Sequence, residues 1–138
     1  MIGIILATHG TLGEALIETT KLITKEALNN IAYVTINVED RPETIKKQIR
    51  KAIEEVDNKD GVIILTDMFG GTPSNISNAF LKEKNTEVIS GVNLPILVEA
   101  VSKQTKSDFK TLSTDLVKCG KRSISKATGI LNGEKRGV

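Results

Sequence analysis

Two uninterrupted apolar runs limit the folds open to this chain more than any other feature of its sequence. The runs cover residues 2–7 and 61–65, and polar or glycine-rich residues follow each of them. A strand that is apolar on both faces has to be covered on both faces, which is typical of parallel sheets. The sequence therefore predicts a parallel sheet with helices on both of its sides.

Helix signals occupy the segments between the strand-like runs. Residues 11–14 match a capping box, and Pro42 favours the first turn of another helix. From Ile45 to Val56 apolar residues recur with the period of a helix, and the charged residues between them are interpreted as a solvated face. Further strands are predicted at 31–38 and 87–90, and further helices after Thr72 and Pro73, over 94–102 and over 108–121.

The alternation of strands and helices predicts a doubly wound α/β fold with right-handed crossovers. The chain has 138 residues, which fits one domain. A domain of this size buries about two-thirds of the surface that its unfolded chain exposes. We assign residues 1–131 to this domain and expect 132–138 to be a loosely ordered tail.

The composition argues against several classes of partner and site. A net charge of +2 and an aromatic share of 3% give little basis for binding nucleic acid by charge or by base stacking. The single cysteine, Cys119, has no partner for an internal disulfide. No stretch matches a signal peptide or the ~20 apolar residues of a membrane span. We therefore expect a cytoplasmic protein that binds no nucleic acid.

The candidate chemistry lies in the two loops that follow the apolar runs. His9, the only histidine, ends the first run, and Asp67 ends the second. If the first and third strands are neighbours, the switch point of the sheet falls between them and these two side chains face each other. A carboxylate bonded to one imidazole nitrogen fixes the tautomer and leaves the other nitrogen as a nucleophile.

The same loops favour an anion beside His9. Gly70 and Gly71 allow the backbone to approach a ligand closely, and the helix starts at Thr11 and Thr72 direct N–H groups toward the same place. Such a pocket suits a phosphoryl group carried on the histidine. The plainer interpretation is an ordinary turn and helix cap beside a histidine held by one hydrogen bond.

Other chemistries lack their required residues. A metal site normally needs three protein ligands, and this pair supplies two, while Cys119 is interpreted as packing in a late helix. The two glycines are followed by Thr72 and Pro73 rather than by the lysine of a P-loop. The glycine-flanked serine of a hydrolase elbow is also missing.

Three segments are distinctive in combination: residues 3–10 (GIILATHG), 67–75 (DMFGGTPSN) and 89–99 (ISGVNLPILVE). Together they resemble the enzyme IIA domain of the mannose family of the bacterial phosphoenolpyruvate-dependent sugar phosphotransferase system. The resemblance covers nearly the whole chain, and its three motifs stand in the right order.

The resemblance implies a phosphotransferase that works through a phosphohistidine and needs no metal or other cofactor. His9 would accept a phosphoryl group from HPr and pass it to a IIB component, whose membrane partners IIC and IID import the sugar. Asp67 would orient the histidine. The residues implied to hold the phosphoryl oxygens are Gly10, Thr11, Gly70, Gly71, Thr72, Ser74 and Asn75. The residues implied to form the rim are Asn93, Leu94 and Pro95.

The resemblance also implies a flavodoxin-like sheet of order 2-1-3-4-5. Its last strand would be antiparallel and exchanged between the subunits of a homodimer, and here it would come from residues 122–131. We expect the IIB partner to be a separate polypeptide.

Three other functions stay open at this point. The phosphotransfer subunit of dihydroxyacetone kinase is similar in fold and also has an early histidine. A regulatory module would be phosphorylated on His9 and report its phosphorylation state to a partner. A flavodoxin-like ligand-binding domain would use His9 only structurally, although the scarcity of aromatic residues disfavours a flavin.

Overall fold

Four parallel strands form the centre of the computed structural model, which describes residues 1–56, 59–68 and 70–133. The order of the strands across the sheet is β2-β1-β3-β4. Each pair of neighbouring strands is parallel, which confirms the predicted doubly wound α/β fold. The strands are β1 (Gly3–His9), β2 (Ile31–Ile36), β3 (Val62–Thr66) and β4 (Thr86–Ser90).

Helices connect the strands and cover both faces of the sheet. A short 3₁₀ helix, Asn78–Lys82, follows the third α-helix. No helix in the described part of the chain has the length and apolar character needed to cross a membrane. The α-helices are α1 (Leu12–Thr24), α2 (Pro42–Glu55), α3 (Thr72–Ser77), α4 (Leu94–Lys103), α5 (Phe109–Arg122) and α6 (Ala127–Leu131).

The sheet separates two aliphatic cores. On β1, Ile5 and Ala7 belong to the core beneath α2 and α3, whereas Ile4 and Leu6 belong to the core beneath α1, α4 and α5. Successive side chains of a strand point to opposite faces, so a central strand that contributes to both cores has to be apolar throughout. The packing explains the uninterrupted apolar runs in the sequence.

The register of the strands brings the chemistry-bearing loops to one edge of the sheet. His9 lies opposite Ile36 of β2, and Ala7 lies opposite Thr66 of β3. The carboxyl ends of the parallel strands therefore meet at this edge. The chain leaves β1 toward β2 and leaves β3 toward β4, so the switch point lies between β1 and β3.

The segment expected to supply a fifth strand contains no strand. Residues 122–131 contain the end of α5 and all of α6, so the prediction of a strand there is wrong. Its apolar side chains do not alternate as a strand requires, and Ile124 and Leu131 are exposed. Of the expected tail 132–138, residues 132 and 133 form a turn after α6, and 134–138 lie outside the described residues.

The starts of two helices differ from the predicted caps. The side chain of Thr11 makes no capping bond at α1; Thr8 Oγ1 instead accepts the N–H of Gly13 at 2.8 Å. At α3 the residue before the helix is Gly71, with Thr72 already in the first turn. Helix α3 has only six residues before the 3₁₀ helix begins.

Candidate functional site

His9 and Asp67 meet at the switch point. His9 is the last residue of β1, and Asp67 follows directly after β3. The two are joined by a hydrogen bond of 2.9 Å between His9 Nδ1 and Asp67 Oδ2. The same oxygen accepts the backbone N–H of His9 at 3.1 Å. The expected juxtaposition of these two side chains is therefore present in the structure.

The carboxylate of Asp67 is held in its ionised form. Burial by itself would raise the pKa of Asp67, but the hydrogen bonds from the ring and from the backbone N–H of His9 outweigh burial, and the pKa lies below its usual range. An ionised carboxylate accepts a proton-bearing Nδ1, which places the free lone pair of the neutral ring on Nε2.

The two side chains differ in their contact with solvent. The side chain of His9 is 41% exposed, whereas that of Asp67 is 11% exposed. The carboxylate therefore contacts the ring from the buried side, and the rest of the ring remains accessible to a reactant. An accessible imidazole held by a neighbouring carboxylate is one arrangement compatible with nucleophilic catalysis.

Gly71 lies against the imidazole ring. A Cβ atom at this position would come within 3.3 Å of His9 Cε1 and 3.5 Å of Met68 Cβ. The backbone of Gly71 is extended, with φ −76° and ψ 167°, so close approach rather than an unusual backbone angle accounts for glycine here. Gly10 and Gly70 differ in this respect, since their φ angles are +55° and +77°.

Asn75 holds the loop between β3 and α3 together. Its Nδ2 donates a hydrogen bond of 3.1 Å to the carbonyl of Gly70, and its backbone N–H donates to the carbonyl of Gly71 at 2.9 Å. These bonds fix the loop that lies beside His9. The amide of Asn75, a residue expected to hold phosphoryl oxygens, thus already bonds to the backbone of its own loop.

Thr8 was missed by the sequence analysis. It is buried immediately before His9, and its hydroxyl accepts the N–H of Gly13 where α1 begins. Gly10 adds a backbone bond of 2.9 Å to the carbonyl of Ile36. The sequence offers one signal for this role of Thr8, which is its position beside a predicted strand end. The sequence instead favours Thr11, because Thr11 stands in the ordinary capping position.

Ser74 and Asn93 are engaged inside the fold. Ser74 is buried, and its hydroxyl lies 3.2 Å from that of Ser90 on β4. Asn93 caps α4 by accepting the N–H of Ile96 at 3.0 Å, and its Nδ2 donates to Ser123 Oγ at 2.9 Å. The side chains of both residues therefore already have protein partners.

The described residues contain no group of three or more His, Cys, Asp or Glu side chains that could hold a metal ion. Cys119 lies on α5, and its thiol donates to the carbonyl of Pro95 at 3.6 Å. Burial raises the pKa of this thiol, with a smaller contribution from Glu99. The cysteine is thus a partly buried side chain whose thiol has a backbone partner.

Comparison with known proteins identifies close relatives of the chain. Residues 3–117 match the family model described as PTS system fructose IIA component (EIIA-man). The PTS system fructose-specific EIIA component of Bacillus subtilis (strain 168) is 32% identical over 125 residues, which make up 90% of this chain and 85% of that protein.

Two further comparisons are informative in different ways. The PTS system mannose-specific EIIAB component of Escherichia coli (strain K12) is 29% identical over 89% of this chain but only 38% of its own length. The crystal structure of phosphotransferase system component EIIA from Streptococcus agalactiae matches with a TM-score of 0.83 and 23% identity, covering 93% of this chain and 98% of that one. The latter similarity supports the fold alone.

Proposed function

Because the chain belongs to the PTS system fructose IIA component (EIIA-man) family, which implies phosphotransfer in sugar uptake, we propose that His9 is the residue that carries the phosphoryl group. One observation carries this proposal. Asp67 occupies Nδ1 of a ring that is 41% exposed, so Nε2 is the nitrogen available for attack.

In the proposed reaction, Nε2 attacks the phosphorus atom of a donor phosphohistidine. As the Nε2–P bond forms, the bond from phosphorus to the donor nitrogen breaks and its electron pair returns to the donor ring. The His9 ring then carries the positive charge, and the carboxylate of Asp67 compensates it through Nδ1–H. Delivery to an acceptor histidine reverses these roles, with Nε2 as the leaving group. Positioning supplies most of the catalysis in such a transfer.

Backbone groups are the proposed ligands of the phosphoryl oxygens. Glycines at 10, 70 and 71 leave the backbone open near the ring, and α1 begins directly after Thr11. Amide N–H groups at the start of a helix favour an anion. Ser74 would contribute through its backbone, since its hydroxyl is paired with Ser90. The remaining proposed contacts are Thr72 and Asn75, with Asn93, Leu94 and Pro95 forming the rim.

The proposed partners are HPr as donor and a IIB component as acceptor, with IIC and IID taking part indirectly. The relative from Escherichia coli is named an EIIAB component, which supports coupling to a IIB unit. A cytoplasmic location belongs to the same proposal.

We also propose a homodimer. Strand β4 lies at the edge of the sheet and has no partner strand on its outer side among the described residues. An unpaired edge is a template for association with a second chain. Sedimentation at several protein concentrations would test this, and a monomer throughout would contradict it.

The experiment that tests the carrier role is intact-mass analysis after incubation with phosphoenolpyruvate, enzyme I and HPr. We expect one added phosphoryl group on the wild-type protein, lost in acid and missing from His9→Ala. A IIA protein of known activity serves as the positive control. If that control is labelled and the folded wild-type chain is not, the carrier role is wrong.

A further inference from the structure

We propose that residues 71–77, called the α3 segment, move back from His9 to make room for the phosphoryl group. The α3 segment consists of Gly71 and helix α3. Thr66 and Ser77 are the positioning residues of this movement, because their buried hydroxyls weaken the contact between α3 and the sheet. The inference rests on the carrier role proposed above and adds how the site adjusts to the group that it carries.

Buried polar atoms without a partner are concentrated where β3 ends and where α3 ends. In the described part of the chain, the buried side-chain nitrogen and oxygen atoms that have no hydrogen-bond partner are Thr66 Oγ1, Asp67 Oδ1 and Ser77 Oγ. Thr66 is the last residue of β3, and Ser77 is the last residue of α3. A buried polar atom without a partner costs free energy, so each of these atoms destabilises the packing around it.

The two unpartnered hydroxyls lie between α3 and the sheet. Thr66 follows Ile64 by two positions, so its side chain points toward the same core beneath α2 and α3. Its Cα is opposite that of Ser90, whose hydroxyl lies 3.2 Å from that of Ser74 on α3. Ser77 is three positions after Ser74, so it lies on the same face of the helix, and it is fully buried. Of these four hydroxyls, those of Ser74 and Ser90 pair with each other, and the other two have no partner.

Helix α3 has few apolar contacts to hold it against the sheet. It has six residues and changes to 3₁₀ geometry directly after Ser77. Such a short helix depends on its packing for stability, and a helix with few buried apolar contacts opens locally at a small cost in free energy. The buried residues of α3 are Pro73, Ser74, Ile76 and Ser77, whereas those of α2 are Ile45, Ile49, Ala52 and Ile53.

The α3 segment begins against the part of the His9 ring where a phosphoryl group needs space. Asp67 bonds to Nδ1, so the proposed phosphoryl group is carried on Nε2. Cε1 lies between the two ring nitrogens, and the oxygen atoms of a group on Nε2 therefore extend beside Cε1. A Cβ atom on Gly71 would come within 3.3 Å of Cε1, so the backbone leaves little space there. Movement of the α3 segment away from the ring enlarges this space.

The weak packing of α3 thus sets how often the space opens. If the moved state is a minor one, the rate of phosphorylation is proportional to its population. A substitution that stabilises the observed packing lowers this population and slows phosphorylation by the same factor. Amide hydrogen exchange in α3 measures the same opening independently of the reaction.

The test removes the two unpartnered hydroxyls in the full chain. Thr66→Val keeps the shape of the side chain, and Ser77→Ala removes only the oxygen atom. We expect amide exchange in α3 and the labelling of His9 by phosphoramidate both to slow by about tenfold or more in the combined variant, and the urea midpoint to rise. Phosphoramidate is a small donor, so the labelling rate reports on the site without a protein interface. Ser77→Ala alone should change all three quantities in the same direction by less.

Thr20→Val is the matched control. Thr20 is also fully buried, but its hydroxyl donates to the carbonyl of Leu16 within α1 at 2.7 Å. We expect this variant to show no rise in the urea midpoint, and its α3 exchange and labelling rates to equal those of the wild-type protein. A rise equal to that of the combined variant would show that any buried hydroxyl has this effect, and would overturn the assignment to Thr66 and Ser77.

The other results separate this inference from the carrier role. Unchanged or faster exchange in α3 of the combined variant would overturn the inference, because the two hydroxyls would then not weaken the packing. Slower exchange with an unchanged labelling rate would also overturn it, since phosphorylation would not need the movement. If neither phosphoramidate nor phospho-HPr labels His9 of the wild-type protein, the proposed carrier function fails, and this inference fails with it.

Discussion

One carboxylate oxygen of Asp67 accepts two hydrogen bonds from His9, from Nδ1 at 2.9 Å and from the backbone N–H at 3.1 Å. The backbone bond fixes the end of β1 relative to the loop after β3, and the bond to the ring fixes the imidazole on that support. The carboxylate of Asp67 thus couples the position of the main chain to the orientation of the imidazole ring.

This coupling predicts the effect of removing the carboxylate. We expect Asp67→Ala to slow phosphoryl transfer by about 10–100-fold, by analogy with the loss of a carboxylate that orients a metal-bound histidine. The ring loses its fixed tautomer, whereas the two cores beneath the sheet are untouched. The measurement is the single-turnover rate with phospho-HPr.

The control for that variant is Glu54→Ala, which removes an exposed carboxylate from α2. We expect wild-type rates from it and similar circular dichroism from both variants. A wild-type transfer rate in Asp67→Ala would rule out the orienting role.

The lowered pKa of Asp67 predicts how stability depends on pH. The folded-state pKa lies below the ordinary value of 3.8, so the carboxylate stabilises the fold at pH values above 3.8. This contribution is lost as the pH falls through the folded-state pKa. We expect the free energy of unfolding of Asp67→Asn to converge with that of the wild-type protein below pH ~4. Denaturant unfolding at several pH values measures it, and a difference that widens in acid would contradict the assignment.

Substitutions at Gly71 test whether the His9 ring needs the open space beside it. We expect Gly71→Ala to reduce phosphorylation modestly and Gly71→Val to reduce it strongly, because the added atoms begin 3.3 Å from His9 Cε1. The backbone at this position is extended and accepts any side chain, so the unfolding temperature should change little. Equal phosphorylation in all three proteins would show that the ring does not need this space.

Cys119 should react slowly with alkylating agents. Its pKa is raised by burial and, to a smaller extent, by Glu99, so the thiolate is scarce near neutral pH. We expect the alkylation rate by iodoacetamide at pH 8 to lie well below that of free cysteine and to rise to a plateau only above pH 9. Fast alkylation at pH 7 would contradict the assignment of Cys119 as a packed side chain.

The sequence predicted the central sheet and the His9–Asp67 pair for a common physical reason. Parallel strands covered on both faces have to be apolar throughout, and residues 2–7 and 61–65 show this directly. Once two such strands are neighbours, their carboxyl ends meet, and the polar residues that follow them are brought together. The sheet and the His9–Asp67 pair could both be predicted because each follows from a short stretch of sequence.

The contacts that the sequence did not predict involve partners that are distant along the chain. The hydroxyl of Ser74, a residue implied to hold phosphoryl oxygens, lies 3.2 Å from that of Ser90, which the parallel sheet brings near. The amide of Asn93 bonds to Ser123, thirty residues away. Residues 122–131 have no clear strand or helix pattern, and the strand expected there is replaced by the end of α5 and the short helix α6.

The start of α1 gives a test in which two threonines exchange their expected roles. Thr11 occupies the capping position but makes no capping bond with its side chain, whereas buried Thr8 accepts the N–H of Gly13 at 2.8 Å. We expect Thr8→Val to lower the free energy of unfolding by about 1–2 kcal/mol, because a helix N–H loses its acceptor in a buried place. Thr11→Val should change it by less than about 0.5 kcal/mol, since the exposed hydroxyl has no helix N–H to release.

Urea unfolding of both variants and of the wild-type protein, followed by circular dichroism, makes the comparison. The two substitutions are chemically identical, so any difference between them comes from position. A larger loss in Thr11→Val would show that the sequence-level capping box operates after all and that the Thr8 bond contributes little. A loss confined to Thr8→Val would instead show that a side chain of β1 stabilises the start of α1. The helix that follows the candidate histidine would then depend on the residue immediately before His9.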